Sequence, residues 1–359
     1  MDIGTTASAD LLAWYDHERV ALPWRGSRDP YRVWLSEIML QQTQVETVKP
    51  YYARFLDAFP TVTALAAAPL DDVLKLWEGL GYYSRARHLH AAAIAVAARG
   101  AFPNSVEGLL ALPGVGRYTA GAIASIVYGV RAPVLDGNVI RVYTRLLDLP
   151  DDVTQKPTLD RLWTIADAWL PADRAGDYNQ AVMDLGRLIC TPRSPACGRC
   201  PLQRDCRAYA NGTQEARPVK PAKAPTPHYD VTAGLITASD GRLLIAQRPL
   251  DGLLGGLWEF PGGKQEPGES LPDCLRRELR EELAIEVEVG EFFVRVRHAF
   301  THFRITLHSY WCRHVSGEPQ TIGVHAWAWV TEDTLDRYAF GKADRQVIAA
   351  LRARRGMMF

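Results

Sequence analysis

The hydrophobic period of the chain changes at a proline-rich stretch, and that change limits the fold most. NGTQEARPVKPAKAPTPHYD, residues 211–230, holds four prolines and a single large aliphatic residue, Val219. Such a segment has too little apolar surface for a core and reads as an extended linker. Before it, apolar residues recur at three- and four-residue spacing in LLAWY, VWLSEIML, YYARFLDAF and HLHAAAIAVAA. That is the period of helices, and Pro60, Pro69, Pro103 and Pro113-Gly114 punctuate them. After it, VTAGLITAS, RLLIAQRP, FFVRVRHAF, RITLHSYWCRH and HAWAWV alternate or run β-branched and aromatic, as strands do, with one clear helix, SLPDCLRRELREEL, among them. The expectation is a multi-domain protein: an all-α domain over 1–210, a linker over 211–228 and an α+β domain over 229–359.

No apolar run is long enough to span a bilayer, and the N-terminus lacks a basic start followed by an apolar stretch. A cytosolic protein without a membrane partner is expected, in which cysteines serve as thiols or metal ligands. Lys plus Arg and Asp plus Glu each number 41, so net charge argues neither for nor against a polyanionic partner. Locally the balance differs. Arg187, Arg193, Arg199, Arg204 and Arg207 face one acid, Asp205, in a 21-residue window that by itself reads as a solvated surface.

That window contains CTPRSPACGRCPLQRDC, with Cys190, Cys197, Cys200 and Cys206 spaced C-x6-C-x2-C-x5-C. Four thiolates so close in sequence converge only if the loop wraps a metal, and both zinc and iron–sulfur clusters accept four cysteines. The spacing resembles the [4Fe–4S] site of endonuclease-III-like DNA glycosylases. The resemblance implies a cluster that organises a loop against DNA phosphates. Hydrolysis of a glycosidic bond needs no electron, so its expected role is structural.

LPGVGRYTAGAIAS (112–125) is a turn leading into a helix, and Gly114 and Gly116 leave backbone N–H groups free to seat a phosphate. In VLDGNVIRVYTRL, Asp136 precedes an amphipathic helix, where an Asp is ordinarily an N-cap. Together the two segments resemble the helix–hairpin–helix–Gly/Pro–Asp signature of base-excision glycosylases. Members that also cut the strand carry a lysine where this chain has Tyr118, and a phenol cannot form the imine.

Glu37 lies inside the apolar run VWLSEIML, and the segment WLSEIMLQQTQV resembles the adenine DNA glycosylases, the MutY family. GYYSRAR (81–87), YNQAVMDLG (178–186) and GLLGGLWEFP (252–261) also fit that pattern. The resemblance implies excision, without strand cleavage, of adenine mispaired with 8-oxoguanine or guanine in duplex DNA. Glu37 would protonate the base, Asp136 would stay ionised facing the sugar cation, and Tyr118 and Asn138 would hydrogen-bond around them. Gln42 and Tyr82 would wedge into the duplex, Thr43 would contact 8-oxoguanine, and Arg19, Trp24 and Gln180 would line the adenine pocket.

FPGGKQEPGESLPDCLRRELREELAI (260–285) carries Gly263, then Glu269, then Arg277-Glu278 and Glu281-Glu282. It resembles the Nudix box, with Ala284 where the motif has glycine. Glu278, Glu281 and Glu282 share one helix face, a pattern suited to Mg²⁺. The resemblance implies a retained scaffold that checks the base opposite adenine, with Phe300, Thr301 and His302 of AFTHF as the probe. Mg²⁺-dependent nucleotide pyrophosphohydrolysis is the alternative. The expected cofactor is a [4Fe–4S] cluster, with Mg²⁺ only if the box is active. The expected molecule is a monomer, cytoplasmic and associated with the bacterial nucleoid through DNA.

Overall fold

The computed structural model describes residues 4–222 and 225–356. Residues 1–3 and 357–359, at the outer ends of the two expected domains, and 223–224, within the expected linker, lie outside the described residues. The chain forms two compact units, one of Met1–Ala67 with His88–Lys223, the other of Ala68–Arg87 with Ala224–Phe359.

The first unit is helical. Helix Pro30–Leu40 starts where the Asp29 carboxylate accepts the Tyr31 N–H at 2.9 Å, with Pro30 preset for the first turn. Every residue from Val33 to Met39 is buried, so this stretch of the helix runs through the core and its side chains are taken out of water. A short helix, Val106–Leu110, turns into Arg117–Tyr128 and forms the expected helical hairpin. Gly114 makes that turn at φ +70°, and a Cβ there would lie 2.5 Å from the His88 Cβ. Helix Gly137–Leu146 packs against Ala175–Leu188, and a Cβ on Gly186 would come within 2.6 Å of the Asn138 Cβ. That missing side chain lets the second helix approach the start of the first.

The second unit is built on a mixed sheet of β1 (His228–Thr237), β2 (Leu243–Gln247), β3 (Trp258–Glu259), β4 (Glu286–Ala299), β5 (Arg304–Ser316) and β6 (Ala326–Val330). The order is β3-β2-β1-β5-β4, with β6 also paired to β2; β1 and β5 run parallel and the remaining pairs antiparallel. Alternation sends Ala233, Leu235, Leu243 and Ile245 to one face, under Val347, Ile348 and Leu351 of helix Lys342–Gly356. Ile236, Leu244 and Ala246 go to the other face, under Leu275, Leu279 and Leu283 of helix Leu271–Leu283. The α+β expectation is met, with a C-terminal helix that the strand-seeking pattern passes over. Its apolar stripe is narrow and its remaining positions are rich in arginine.

Helix Leu70–Trp77 belongs to this second unit, where Leu74 packs at Gly256 and its polar edge is tied down. Asp71 accepts from Gln247 Nε2 at 2.7 Å, Lys75 donates to the Tyr338 carbonyl at 3.1 Å, and Arg345 Nη2 binds Glu78 at 3.0 Å.

Candidate active site

Glu37 is 7 % exposed, and its Oε2 accepts the Tyr118 hydroxyl at 2.7 Å. The same hydroxyl lies 3.1 Å from the Met183 sulfur. Burial pushes the Glu37 carboxyl up, against the pull of the Tyr118 O–H and the Arg25 charge. Burial also drives the Tyr118 phenol well above its ordinary value. A carboxyl in such surroundings keeps its proton to a higher pH than one in water, as a general acid must.

Asp136 caps helix Gly137–Leu146. Its Oδ1 accepts N–H groups of Asn138 at 2.9 Å and Val139 at 2.7 Å, and its Oδ2 accepts Asn138 Nδ2 at 2.8 Å. Burial pushes this carboxyl up too, while the Val139 and Asn138 donors pull it back. The opposed settings expected of the two acids therefore lie in their partners and not in the direction of the burial effect. Three N–H donors favour an ionised Asp136; a single O–H meets Glu37.

The Asp136 partners lead on to the cysteine loop. Arg141 Nη2 donates to Asn138 Oδ1 at 2.9 Å, and its Nε to the Cys190 carbonyl at 2.6 Å. Arg145, 1 % exposed, donates to the carbonyls of Thr191 and Pro192 at 2.7 and 3.1 Å and to the Cys190 sulfur at 3.2 Å. Both arginines escaped the sequence reading. On a helix of amphipathic appearance they resemble a solvated face, yet Arg141 to Leu146 is buried all round.

Burial pushes the Cys197, Cys200 and Cys206 thiols up, Cys200 to about 12, and the charge of Cys190 adds to each. Four cysteines can be held as thiolates when a metal replaces their protons. Among the described residues no group of three or more His, Cys, Asp or Glu side chains is arranged to hold a metal ion.

Residues 35–167 match the HhH-GPD superfamily of base excision DNA repair proteins. Residues 190–206 match the iron-sulfur binding domain of endonuclease III, and 232–350 the NUDIX domain. The adenine DNA glycosylase of Rattus norvegicus is 36% identical, over 96% of this chain and 77% of that protein. The adenine DNA glycosylase of Homo sapiens is 35% identical, over 96% and 73%. The chain belongs to the adenine DNA glycosylase family. Among solved structures, a thermostable thymine-DNA glycosylase aligns over 57% of this chain and 95% of its own, at 28% identity and a TM-score of 0.52.

This DNA glycosylase has a cavity of about 460 Å³ in its helical unit, lined among others by Tyr15, Arg19, Arg25, Asp177 and Gln180. Arg19 and Gln180 thus fall together as expected. Trp24 is not among the lining residues; it is 5 % exposed and packs edge-on against Tyr52, ring centroids 5.3 Å apart. Its neighbour Arg25 lines the cavity instead. The Arg25 guanidinium hydrogen-bonds Gln180 Oε1, meets Asp184 at 3.1 Å and donates to the Tyr15 hydroxyl at 3.2 Å. Position in PWRG is its only signal in the sequence. Gln42, exposed at φ 55°, and Thr43 end the Glu37 helix, and Gly116 caps the helix of Tyr118 with no side chain in the way.

In the second unit two of the residues expected at the mispair, Tyr82 and Thr301, meet. The Tyr82 hydroxyl lies 2.7 Å from Thr301 Oγ1, Tyr82 is 41 % exposed, and the loop is braced by Phe300 stacked on Phe303 at 4.6 Å. His302 is exposed. In the Nudix segment Arg277 ties the acids together, binding Glu269 at 2.8 Å and Glu278 and Glu281 at 3.1 Å each. Arg277 holds the Glu269 carboxyl down to about 2. A Cβ on Gly263 would meet the Glu278 carboxylate, so a larger residue there would displace that side chain. Beside Glu282 of the motif lie two acids that the motif does not name, Glu259 and Asp344. Glu259 pairs with Arg248, and burial, then the Glu259 charge, pushes both Glu282 and Asp344 up to about 7.

Proposed function

We propose that the enzyme hydrolyses the N-glycosidic bond of adenine paired with 8-oxoguanine or guanine in duplex DNA, acting as a monomer and without cutting the strand. The buried Glu37 carboxyl held by the Tyr118 hydroxyl carries this reading. Extruding the base costs roughly a few kcal/mol, less at a mispair. Glu37 then protonates adenine at N7, and the bond to the sugar breaks with neutral adenine leaving. The oxocarbenium-like sugar is stabilised by Asp136, whose charge the N–H groups of Asn138 and Val139 maintain. Water adds to the sugar carbon, and its proton passes to a carboxylate. Tyr118 offers no amine, so no imine forms and the product is an abasic site. Cys190, Cys197, Cys200 and Cys206 would hold the iron–sulfur cluster, which fixes the loop that Arg141 and Arg145 join to the Asp136 helix.

The Tyr82–Thr301 hydroxyl pair and His302 support a check on the base opposite adenine. For the Nudix segment we favour a scaffold over Mg²⁺-dependent pyrophosphohydrolysis, because Arg277 and Arg248 already supply cations to its acids. Nucleoside triphosphate turnover on adding Mg²⁺ would overturn that part alone. The whole is tested on duplexes carrying adenine opposite 8-oxoguanine, guanine or thymine. Strand breaks after alkali in the first two, and none without alkali, are expected. Breaks without alkali, or equal release opposite thymine, would refute it.

A further inference from the structure

Five basic side chains share one face of the C-terminal sheet. Residues paired across strands share a face, and alternate residues along a strand return to it. The register aligns His228, Arg304 and Ala299 in one row, Asp230, Thr306 and Arg297 in the next, and Thr232, His308 and Arg295 in a third. His228, Arg304, Arg297, His308 and Arg295 therefore stand on the same side. The opposite side of these strands holds core residues such as Val231, Leu307 and Val296. Further along the basic face Ile236 and Cys312 pass under helix Leu271–Leu283, and Thr232 in the third row is buried against Cys274 of that helix. The helix therefore covers the face from the β1 end of the third row onward, while Arg295, at the β4 end of that row, stays exposed.

Asp230 is the one acid in these rows, and it is engaged by His308 Nε2 at 2.8 Å; His228 Nε2 is 2.9 Å from Thr306 Oγ1. Arg295, Arg297 and Arg304 are exposed, and no carboxylate lies within ion-pair distance of them among the described residues. Nearby arginines behave differently: Arg313 pairs with Glu288, and Arg354 with Glu291 at 3.0 Å. The unpaired ones begin at the probe loop itself. Arg304 follows the loop 300–303 directly, and Arg297 and Arg295 lie successive two-residue steps of about 6.8 Å along β4. That step is comparable to the distance between neighbouring phosphates on a nucleic-acid strand.

The geometry points to a phosphate track: Arg304, Arg297 and Arg295 bind the duplex backbone flanking the base that Thr301 and His302 examine. It rests on the proposed meeting of that loop with DNA, and it assigns to the sheet a second, sequence-independent part of the grip. Contacts of this kind release counterions, so each phosphate met contributes about 0.9 to the slope of log K against log salt.

The test uses the full-length protein and a duplex with non-hydrolysable 2′-fluoro-deoxyadenosine opposite 8-oxoguanine, titrated at several salt concentrations. The triple variant R295Q/R297Q/R304Q is expected to flatten the slope by roughly 2.7. The corresponding triple lysine variant should keep most of the slope, which separates charge from folding. An unchanged slope in the glutamine variant would overturn the track. So would a flattening confined to a single-stranded RNA of equal length, which would assign the face to another polyanion. Loss of preference for 8-oxoguanine over thymine in the parent protein would instead refute the mispair reading, so the two failures are distinct.

Discussion

Both units bury carboxyl groups, but they give them different company. In the helical unit Glu37 meets a phenol and Asp136 meets amide N–H groups. In the Nudix segment Glu259 meets Arg248, and Glu269, Glu278 and Glu281 meet Arg277. Burial raises a carboxyl pKa in either place, yet a neutral partner leaves the proton transferable, whereas an arginine holds the charge in a permanent ion pair. On the proposed mechanism Glu37 would serve as a proton source, whereas the arginine-paired acids act as clamps, Asp184 with Arg25 and Arg187 in the helical unit among them.

The comparison breaks most easily at Glu37. Glu37→Gln should cost about 10²–10⁴ in single-turnover adenine release. Glu281→Gln should leave that rate within about twofold, and a comparable loss there would erase the contrast. A smaller effect is expected at the mispair loop. Thr301→Ala removes one hydroxyl pair worth about 0.5–1.5 kcal/mol, so selectivity for 8-oxoguanine over guanine should fall about two- to tenfold. Arg277→Gln should lower the melting temperature of the C-terminal unit by about a few degrees with adenine release unchanged at saturating DNA.

The smallest effect is one of pH. Glu282 and Asp344 titrate near 7 when folded, against ordinary values of 4.5 and 3.8. The folded unit binds more protons than the unfolded one between those limits, so stability falls as pH rises from about 4 to 7. Glu282→Gln should flatten that decline, read as melting temperature against pH.

Much of this was legible in the residues. Glu37 declared itself as a lone acid in an apolar run, and four cysteines within 17 residues announced a metal loop. Helical and sheet regions followed from period alone. What stayed hidden depends on distance along the chain. Arg145 serves a cysteine 45 residues away, and Arg25 reaches Gln180 and Asp184, more than 150 residues on. Asp344 becomes abnormal only when the fold buries it and sets it near the Glu259 charge. Helix Leu70–Trp77 carries an ordinary helical pattern, and only its partners distant in sequence, polar ones and the packing of Leu74 at Gly256, place it in the second unit.

The central claim is that a buried, protonated Glu37 delivers the proton, with its pKa set between burial and the Tyr118 bond. It is tested most directly by single-turnover adenine release as a function of pH in the parent enzyme and in Tyr118→Phe. Release should fall as pH rises through the Glu37 pKa. The Tyr118 O–H favours the charged form, so its removal should slow the reaction by about 10- to 100-fold and move the alkaline limb to higher pH. A limb that stays in place, or moves to lower pH, would contradict the account.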